Sequence, residues 1–302
     1  MRICVVGATG FVGTPLVREL SQRGNTCTVL TRGTSDPWRH KRVQLVTADL
    51  TKPGAWHEHV SGCDAVINLA GARIIDLTKR WTADRKKLLR SSRVDLTRNL
   101  SLAICEAKDR PSAFLNASAV GYYGSRGDDV VDEDAGPGND FLGELCVEWE
   151  AAAMEAGSDV SVALLRTGMV LGNGGGVLGP LLPLFKTGLG GPWGNGKQWW
   201  SWIHLADEVG LILHALDCKV TGPINLTAPK PVTVNEFAEA LGSGVRRPSL
   251  FRAPEKMLRL ALGESASALM ASQRVTPKKA IATGYVFRFP SLYEALDDLL
   301  GK

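Results

Sequence analysis

The chain has 302 residues, enough for about two domains, and its 44% hydrophobic and 22% charged residues are the balance of a folded globular protein rather than a disordered one. Its 35 basic and 31 acidic residues leave a net charge of +4, too mild to argue for nucleic acid or a membrane surface as a partner. No apolar run approaches the roughly 18 residues that a membrane span needs, and the six cysteines, spread singly with no CxxC and no Cys/His cluster, argue against zinc or a disulfide framework.

The start, Met1-Arg2-Ile3-Cys4-Val5-Val6-Gly7, enters a strand at once, without the pattern of a signal peptide. A glycine cluster follows, then a helix over 12–23 with Val12, Leu16, Val17 and Leu20 on one face. Thr26 to Thr31 reads as a second strand, Val43 to Thr47 as a third and Ala65 to Leu69 as a fourth. A long helix is predicted from about Thr82 to Ala107, because Leu89, Leu96, Leu100, Ala103 and Ala107 recur at three- and four-residue steps. Ala113 to Ala117 is a fifth strand, Leu142 to Ala156 a helix and Val160 to Arg166 a sixth strand. This alternation predicts an α/β fold with a doubly wound parallel sheet covered on both faces.

The texture changes after Gly172. Residues 172–196 carry ten of the 33 glycines, followed by Trp199, Trp200 and Trp202. The segment reads as a lid over a pocket or as an irregular surface loop. A helix at Ala206–Leu216 and a strand at Ile224–Leu226 come next, then helices at Val234–Leu241, Glu255–Leu262 and Ser291–Leu300. The expected division is a nucleotide-binding domain over 1–172, rejoined by about 204–222, and a smaller α+β domain over 173–302.

The strongest motif is Gly7-Ala8-Thr9-Gly10-Phe11-Val12-Gly13, between the first strand and the first helix. Glycines there permit a tight turn, a close approach of the backbone to a pyrophosphate and close packing of helix on sheet. The helix N-terminus then faces the phosphates with unpaired N–H groups. Gly7, Thr9, Gly10, Phe11, Val12 and Gly13 are therefore expected cofactor-binding residues of a Rossmann-like domain. The second strand ends at Arg32, where an acid would hold the ribose 2′-hydroxyl of NAD; an arginine instead pairs with a 2′-phosphate, which predicts NADP(H).

The GxxGxxG spacing resembles the short-chain dehydrogenase/reductase superfamily, in the form of its extended, epimerase-like members. That resemblance implies that Asp49 and Leu50 meet the adenine and that Leu69, Ala70 and Gly71 pass beneath its ribose. It implies that Ser118, after the fifth strand, polarises the substrate oxygen beside the cofactor. It also implies that Arg166, Gly168, Met169 and Val170 pass the nicotinamide end. The superfamily's acid/base is a tyrosine four residues before a lysine, and Asp140 to Glu150 contains neither. Leu142 and Cys146 occupy the positions, or Phe141 and Leu145 in a shifted register. Tyr122 and Tyr123, just after Ser118, are the candidate replacements as catalytic residues, against a simple packing role.

Over nearly its full length the chain resembles atypical members of this superfamily, the YfcH-like epimerase family with a C-terminal domain of unknown function. The shared segments include Trp81 with Arg85-Lys86-Lys87, Ser92-Arg93-Val94, Gly121-Tyr122-Tyr123-Gly124, Glu148-Trp149-Glu150, Trp202-Ile203-His204-Leu205-Ala206-Asp207 and Ser272-Gln273-Arg274-Val275. Lys87 and Arg93 on the long helix are within reach of a phosphate, against the simpler expectation of a solvated helix face, and His204 is expected in a structural hydrogen bond. The resemblance implies an NADP(H)-dependent oxidoreductase or epimerase on a small carbonyl or hydroxyl substrate. The alternative is a non-catalytic NADP(H) sensor, which the missing Tyr/Lys pair favours. The expected partners are a small molecule and, at most, a second copy in a homodimer, with neither nucleic acid nor membrane. Cytoplasmic localisation follows from the cysteine usage, and no metal is expected.

Overall fold

The computed structural model describes residues 1–76 and 79–301. The first part of the chain forms β1 (Arg2–Val6), α1 (Gly13–Gln22), β2 (Thr26–Thr31), β3 (Val43–Thr47), β4 (Ala65–Asn68), α2 (Ala83–Arg90), α3 (Leu96–Glu106), β5 (Ala113–Ala119), β6 (Val130–Val131), α4 (Phe141–Met154) and β7 (Ser161–Thr167). It continues through β8 (Met169–Leu171), α5 (Leu178–Lys186), β9 (Trp199–Trp200), β10 (Trp202–His204), α6 (Leu205–Asp217) and β11 (Gly222–Leu226). The remainder is β12 (Val232–Thr233), α7 (Val234–Gly244), α8 (Glu255–Leu262), α9 (Ala266–Met270), β13 (Arg274–Val275), α10 (Lys278–Ala282) and α11 (Leu292–Leu300).

Seven parallel strands make the central sheet, in the order β11-β7-β5-β4-β1-β2-β3. The apolar runs are continuous because both faces are covered. Ile3 and Val5 of β1 face one layer, with Leu16, Val17 and Leu20 of α1 and Leu211, Ile212 and Ala215 of α6. Cys4 and Val6 face the other, with Leu100 and Ile104 of α3 and Ala153 of α4. Strand order reverses between β1 and β4, so the C-terminal strand ends on either side of β1 frame a crevice.

Three expectations change. The helix predicted over 82–107 is not continuous: a π-helical turn, Ser91–Asp95, separates α2 from α3. Its wider turn rotates the helix face, so Leu89 and Leu100 stay buried on either side while Arg93 and Val94 turn inward between them. The glycine-rich segment 172–196 is not loop throughout, since it contains α5. The stretch that rejoins the sheet runs on past residue 222, because β11 pairs with β7 through Leu226.

The C-terminal part has its own core, in which Trp200 meets Trp193 and Phe237 edge-on at 4.8 and 4.9 Å. It is tied back to the sheet layer twice. Residues Arg274 and Val275 of β13 pair with Val130 and Val131 of β6. Asp207, on α6, accepts from the backbone N–H groups of Arg288 and Phe289, both at 2.8 Å. His204 caps α6, its Nδ1 accepting from the Ala206 N–H at 3.1 Å.

Gly13 lets α1 start directly against the turn after β1. A Cβ there would lie 2.4 Å from the Gly7 carbonyl oxygen and 2.6 Å from the Ala8 Cα. Gly13→Ala is expected to cost about 2–4 kcal/mol of stability, read as a lower urea midpoint with an unchanged slope.

Candidate functional site

The crevice begins at the turn after β1. Gly7 has φ +75°, and a Cβ on it would lie 2.6 Å from the Leu69 carbonyl carbon. The Gly10 N–H closes the turn onto the Gly7 oxygen at 3.0 Å. Helix α1 has no side-chain cap and no acid in its first turn, so its N-terminal amides and positive dipole end are left for an anion. Thr9 and Gly10 are exposed, and Phe11 and Val12 are half-buried. The Cβ directions of Gly7, Gly10 and Gly13 are filled by the chain's own backbone, so these glycines make the tight turn that leaves the first amides of α1 bare, which fits a pyrophosphate. Gly172, Gly175 and Gly176 wrap the Phe11 ring, each leaving room for a ring atom within 2.8 Å of where its Cβ would stand. That contact joins the turn to the glycine-rich segment and has no local signal in the sequence.

Arg32 is exposed at the end of β2. Asp49, exposed after β3, accepts from the Thr51 hydroxyl at 2.7 Å and the Thr51 N–H at 3.1 Å. These bonds, then the charges of Lys52 and Arg32, hold its carboxyl below the usual range. Leu50, expected at the adenine, instead sends its side chain into the core beside Leu30 and Trp56. After β4, buried Asn68 donates to Asn116 Oδ1 at 2.7 Å and Thr97 Oγ1 at 2.9 Å, and accepts from the Ala70 N–H at 3.1 Å. This network sets the Leu69–Gly71 turn.

Ser118 lies within β5, which extends to Ala119, and is 4% exposed. Its hydroxyl donates to Glu150 Oε1 of α4 at 2.6 Å. Glu150 is in turn gripped by Arg166 of β7, Nε and Nη2 each donating at 2.8 Å. Arg166 Nη1 donates to the Tyr123 hydroxyl at 3.0 Å, which donates to Asn225 Oδ1 of β11 at 2.7 Å. Burial works against the Arg166 charge, but Glu150 outweighs it and holds the guanidinium above its ordinary value. Burial pushes the Tyr123 phenol up to about 12 against the opposing charge of Arg166.

Two expectations are corrected here. Arg166 does not reach the cofactor crevice: it is 3% exposed, and its donors serve Glu150 and Tyr123. Tyr123 is fully buried with its hydroxyl in the same network, so it is framework rather than an acid/base. Tyr122 differs. Its ring lies 3.5 Å from the Arg166 guanidinium carbon, it is half-buried, and among the described residues nothing hydrogen-bonds its hydroxyl. It sits on the 3₁₀ turn Val120–Tyr123, beside Gly121, where a Cβ would be 3.4 Å from Leu142 Cβ. Its turn therefore abuts the helix position where the resemblance calls for a tyrosine. Cys146 is buried, and burial followed by the Glu150 charge pushes its thiol up to about 12, which keeps it protonated and unreactive at neutral pH.

Past β7, the Gly168 N–H donates to the Leu226 oxygen at 3.0 Å and the Met169 N–H to the Ser201 oxygen at 2.8 Å. Gly168 is pressed on Ser201 and Thr227, and Met169 and Val170 are half-buried. Thr167 donates to Glu208 Oε1 at 2.8 Å, while Glu208 Oε2 and Thr227 Oγ1 are buried with no hydrogen-bond partner among the described residues. Trp199 is half-buried, its indole N–H on Asp128 at 2.8 Å, whereas Trp200 and Trp202 are core. Among the described residues no group of His, Cys, Asp and Glu is arranged to hold a metal ion, and no helix is long and apolar enough to cross a membrane.

Burial pushes the Glu208 carboxyl from 4.5 up to about 8. An acid whose folded value is raised contributes stability that is fully present below its unfolded value and lost as pH rises through the folded one. Stability should therefore fall between about pH 4.5 and about pH 8, by up to about 5 kcal/mol, and level off above. Glu208→Gln should flatten that decline in urea unfolding followed across the same range.

Comparison with known proteins agrees with this geometry. Residues 3–226 match the NAD dependent epimerase/dehydratase family, and residues 253–299 match a domain of unknown function, DUF1731. The epimerase family protein SDR39U1 of Homo sapiens is 36% identical, over 99% of this chain and 100% of its own length. The chloroplastic SDR39U1 homolog of Arabidopsis thaliana is 39% identical, over 98% of this chain and 86% of its own. The crystal structure of the human protein with NADPH has a TM-score of 0.89 at 35% identity, covering 100% of this chain and 99% of that one. A Bacillus cereus UDP-glucuronic acid 4-epimerase shares the fold at 17% identity, with a TM-score of 0.80 and coverage of 100% and 98%. The glycine turn, the seven-stranded sheet and the C-terminal unit thus place the chain in the NAD-dependent epimerase/dehydratase family, among the members that carry the domain of unknown function.

Proposed function

We propose that the chain is an NADP(H)-dependent oxidoreductase or epimerase of the atypical short-chain class, acting on a small carbonyl or hydroxyl compound, with Tyr122 as its proton carrier. The observation that carries this reading is the contrast between the hydroxyls beside the crevice. Ser118 commits its proton to Glu150 and Tyr123 is sealed in the framework, while the Tyr122 hydroxyl is unengaged.

Bound NADPH supplies a hydride. The residues of this chain do the rest. The amides of Phe11 to Gly13 hold the pyrophosphate. Arg32 pairs with the 2′-phosphate, with Asp49 beside it and the Leu69–Gly71 turn beneath the sugar. The segment Gly168 to Val170 passes the nicotinamide end. Ser118, its proton on Glu150, keeps oxygen lone pairs to accept from a substrate hydroxyl and so orients it. Tyr122 gives the proton to, or takes it from, the reacting oxygen. Residues 173–203 and 227–302 close over the substrate. The relative solved with NADPH supports the cofactor, and six free cysteines support a reducing, cytoplasmic setting.

A second reading is a sensor that binds NADP(H) without turnover. It is favoured by α4, which offers Leu142 and Cys146 where the acid/base pair would stand.

The two readings part on one assay. NADPH oxidation is followed with a panel of small aldehydes, ketones and α-dicarbonyls. The enzyme reading expects turnover with at least one class, and Tyr122→Phe is expected to lower kcat about 100-fold or more with NADPH affinity unchanged. Tight NADPH binding without turnover on any class would assign the sensor. Arg32→Ala is expected to weaken NADPH about tenfold and leave NADH unchanged, measured by nicotinamide fluorescence titration.

A further inference from the structure

The π-helical turn Ser91–Asp95 carries a charge to the crevice that the reading above does not use. Arg93 is 8% exposed. Its Nη2 donates to the Ala72 oxygen at 2.8 Å and its Nη1 to the Leu89 oxygen at 3.3 Å. The Trp149 ring backs it, with its centroid 5.1 Å from the guanidinium carbon. Gly71 lies on it directly: a Cβ there would be 3.0 Å from that carbon. Among the described residues no carboxylate pairs with Arg93.

That isolation is costly. A guanidinium keeps its proton at neutral pH, so burial cannot be relieved by neutralisation. Arg166, equally buried, has Glu150 on two of its nitrogens. Arg93 has only carbonyl dipoles and an aromatic face; burial holds it down to about 10, with Arg85 adding repulsion and the Cys146 thiol near enough to act on it. A guanidinium has five N–H donors, and two main-chain oxygens do not exhaust them.

Strand order says which part of a dinucleotide comes near. The pyrophosphate belongs at the turn after β1, and Arg32 and Asp49 mark the adenosine side over β2 and β3. The other half must lie over β4, β5 and β7. Arg93 stands on that side, between Gly71, which ends the turn after β4, and Trp149 of α4, whose cluster packs against Ala117 of β5. Gly71 is exposed, and any side chain on it would press on the guanidinium, 3.0 Å from its carbon.

We propose that Arg93 grips the ribose on the nicotinamide side of the cofactor, donating past Gly71 to the ribose hydroxyl oxygens. The assignment rests on the NADP(H) reading above. It makes the π-helical turn the source of the cation that α4, with Cys146, does not supply, and it gives Gly71 a task that any side chain would obstruct.

The test compares two ligands by calorimetry on the full chain: NADPH, and 2′-phosphoadenosine 5′-diphosphate, which lacks the nicotinamide riboside. Arg93→Met is expected to weaken NADPH at least tenfold and to leave the adenine-side ligand within about twofold. Arg93→Lys, which keeps a charge but loses the fork, should fall between. Because Arg93→Lys keeps the buried cation, its own split between the two ligands carries the test where Arg93→Met does not fold. Equal losses for both ligands would mean that Arg93 is only structural, and an unchanged NADPH affinity would overturn the proposal outright. If the unaltered chain bound neither ligand, the cofactor reading would fall, and this assignment with it.

Discussion

The buried pair of Arg166 and Glu150 is the constraint on which the candidate site depends. It joins β7 to α4, and each partner fixes a second group. Glu150 takes the Ser118 proton, and Arg166 takes the Tyr123 oxygen and stacks on Tyr122. Removing one member would strand the other charge in the interior, at a cost of about 3–5 kcal/mol. The pair thus determines the orientation of three side chains beside the sheet edge before any ligand arrives. It also explains why Ser118 cannot be read as a simple proton donor: the strongest acceptor near it already holds its hydrogen.

The groups left for chemistry lie on irregular backbone. Tyr122 is on a 3₁₀ turn after β5, and Arg93 is on the π-helical turn between α2 and α3. Regular α4 contributes Glu150 and the packing of Trp149 and Cys146, all buried. Departures of this kind gather at functional sites because an irregular turn aims a side chain where a regular helix would direct it elsewhere. In this chain the proposed proton carrier and the proposed ribose-gripping cation therefore come from two elements that flank α4, rather than from one face of α4 itself.

The apolar periodicities, the glycine turn after β1 and the alternation of strand and helix were legible because each is a local pattern imposed by backbone geometry. The parallel sheet, α1, α4 and the helices at 234–244 and 255–262 follow from such patterns with small shifts at their ends. The π-helical turn was not legible, since Leu89, Leu96 and Leu100 satisfy a continuous helix equally well. Neither was α5, hidden among glycines and carrying Pro183 inside it. Arg166 looked like a cofactor contact from its place after a strand, but a strand end does not say which side its residue faces or whether a carboxylate waits there.

The sequence by itself determined the doubly wound sheet, the glycine turn after β1, the arginine at the end of β2 and the absence of a Tyr/Lys pair in α4. These rest on residue type at short spacing, which the chain carries wherever it folds. Only the tertiary structure decided that Ser118 gives its proton to Glu150, that Tyr123 is sealed while Tyr122 is open, and that Arg93 is buried against Gly71 without a counter-charge. Those outcomes join Ser118 to a residue 32 positions away and Tyr123 to one 102 positions away. What happens to a buried charge or hydroxyl is settled by whichever partner the packing brings within hydrogen-bonding distance, and no local spacing encodes that.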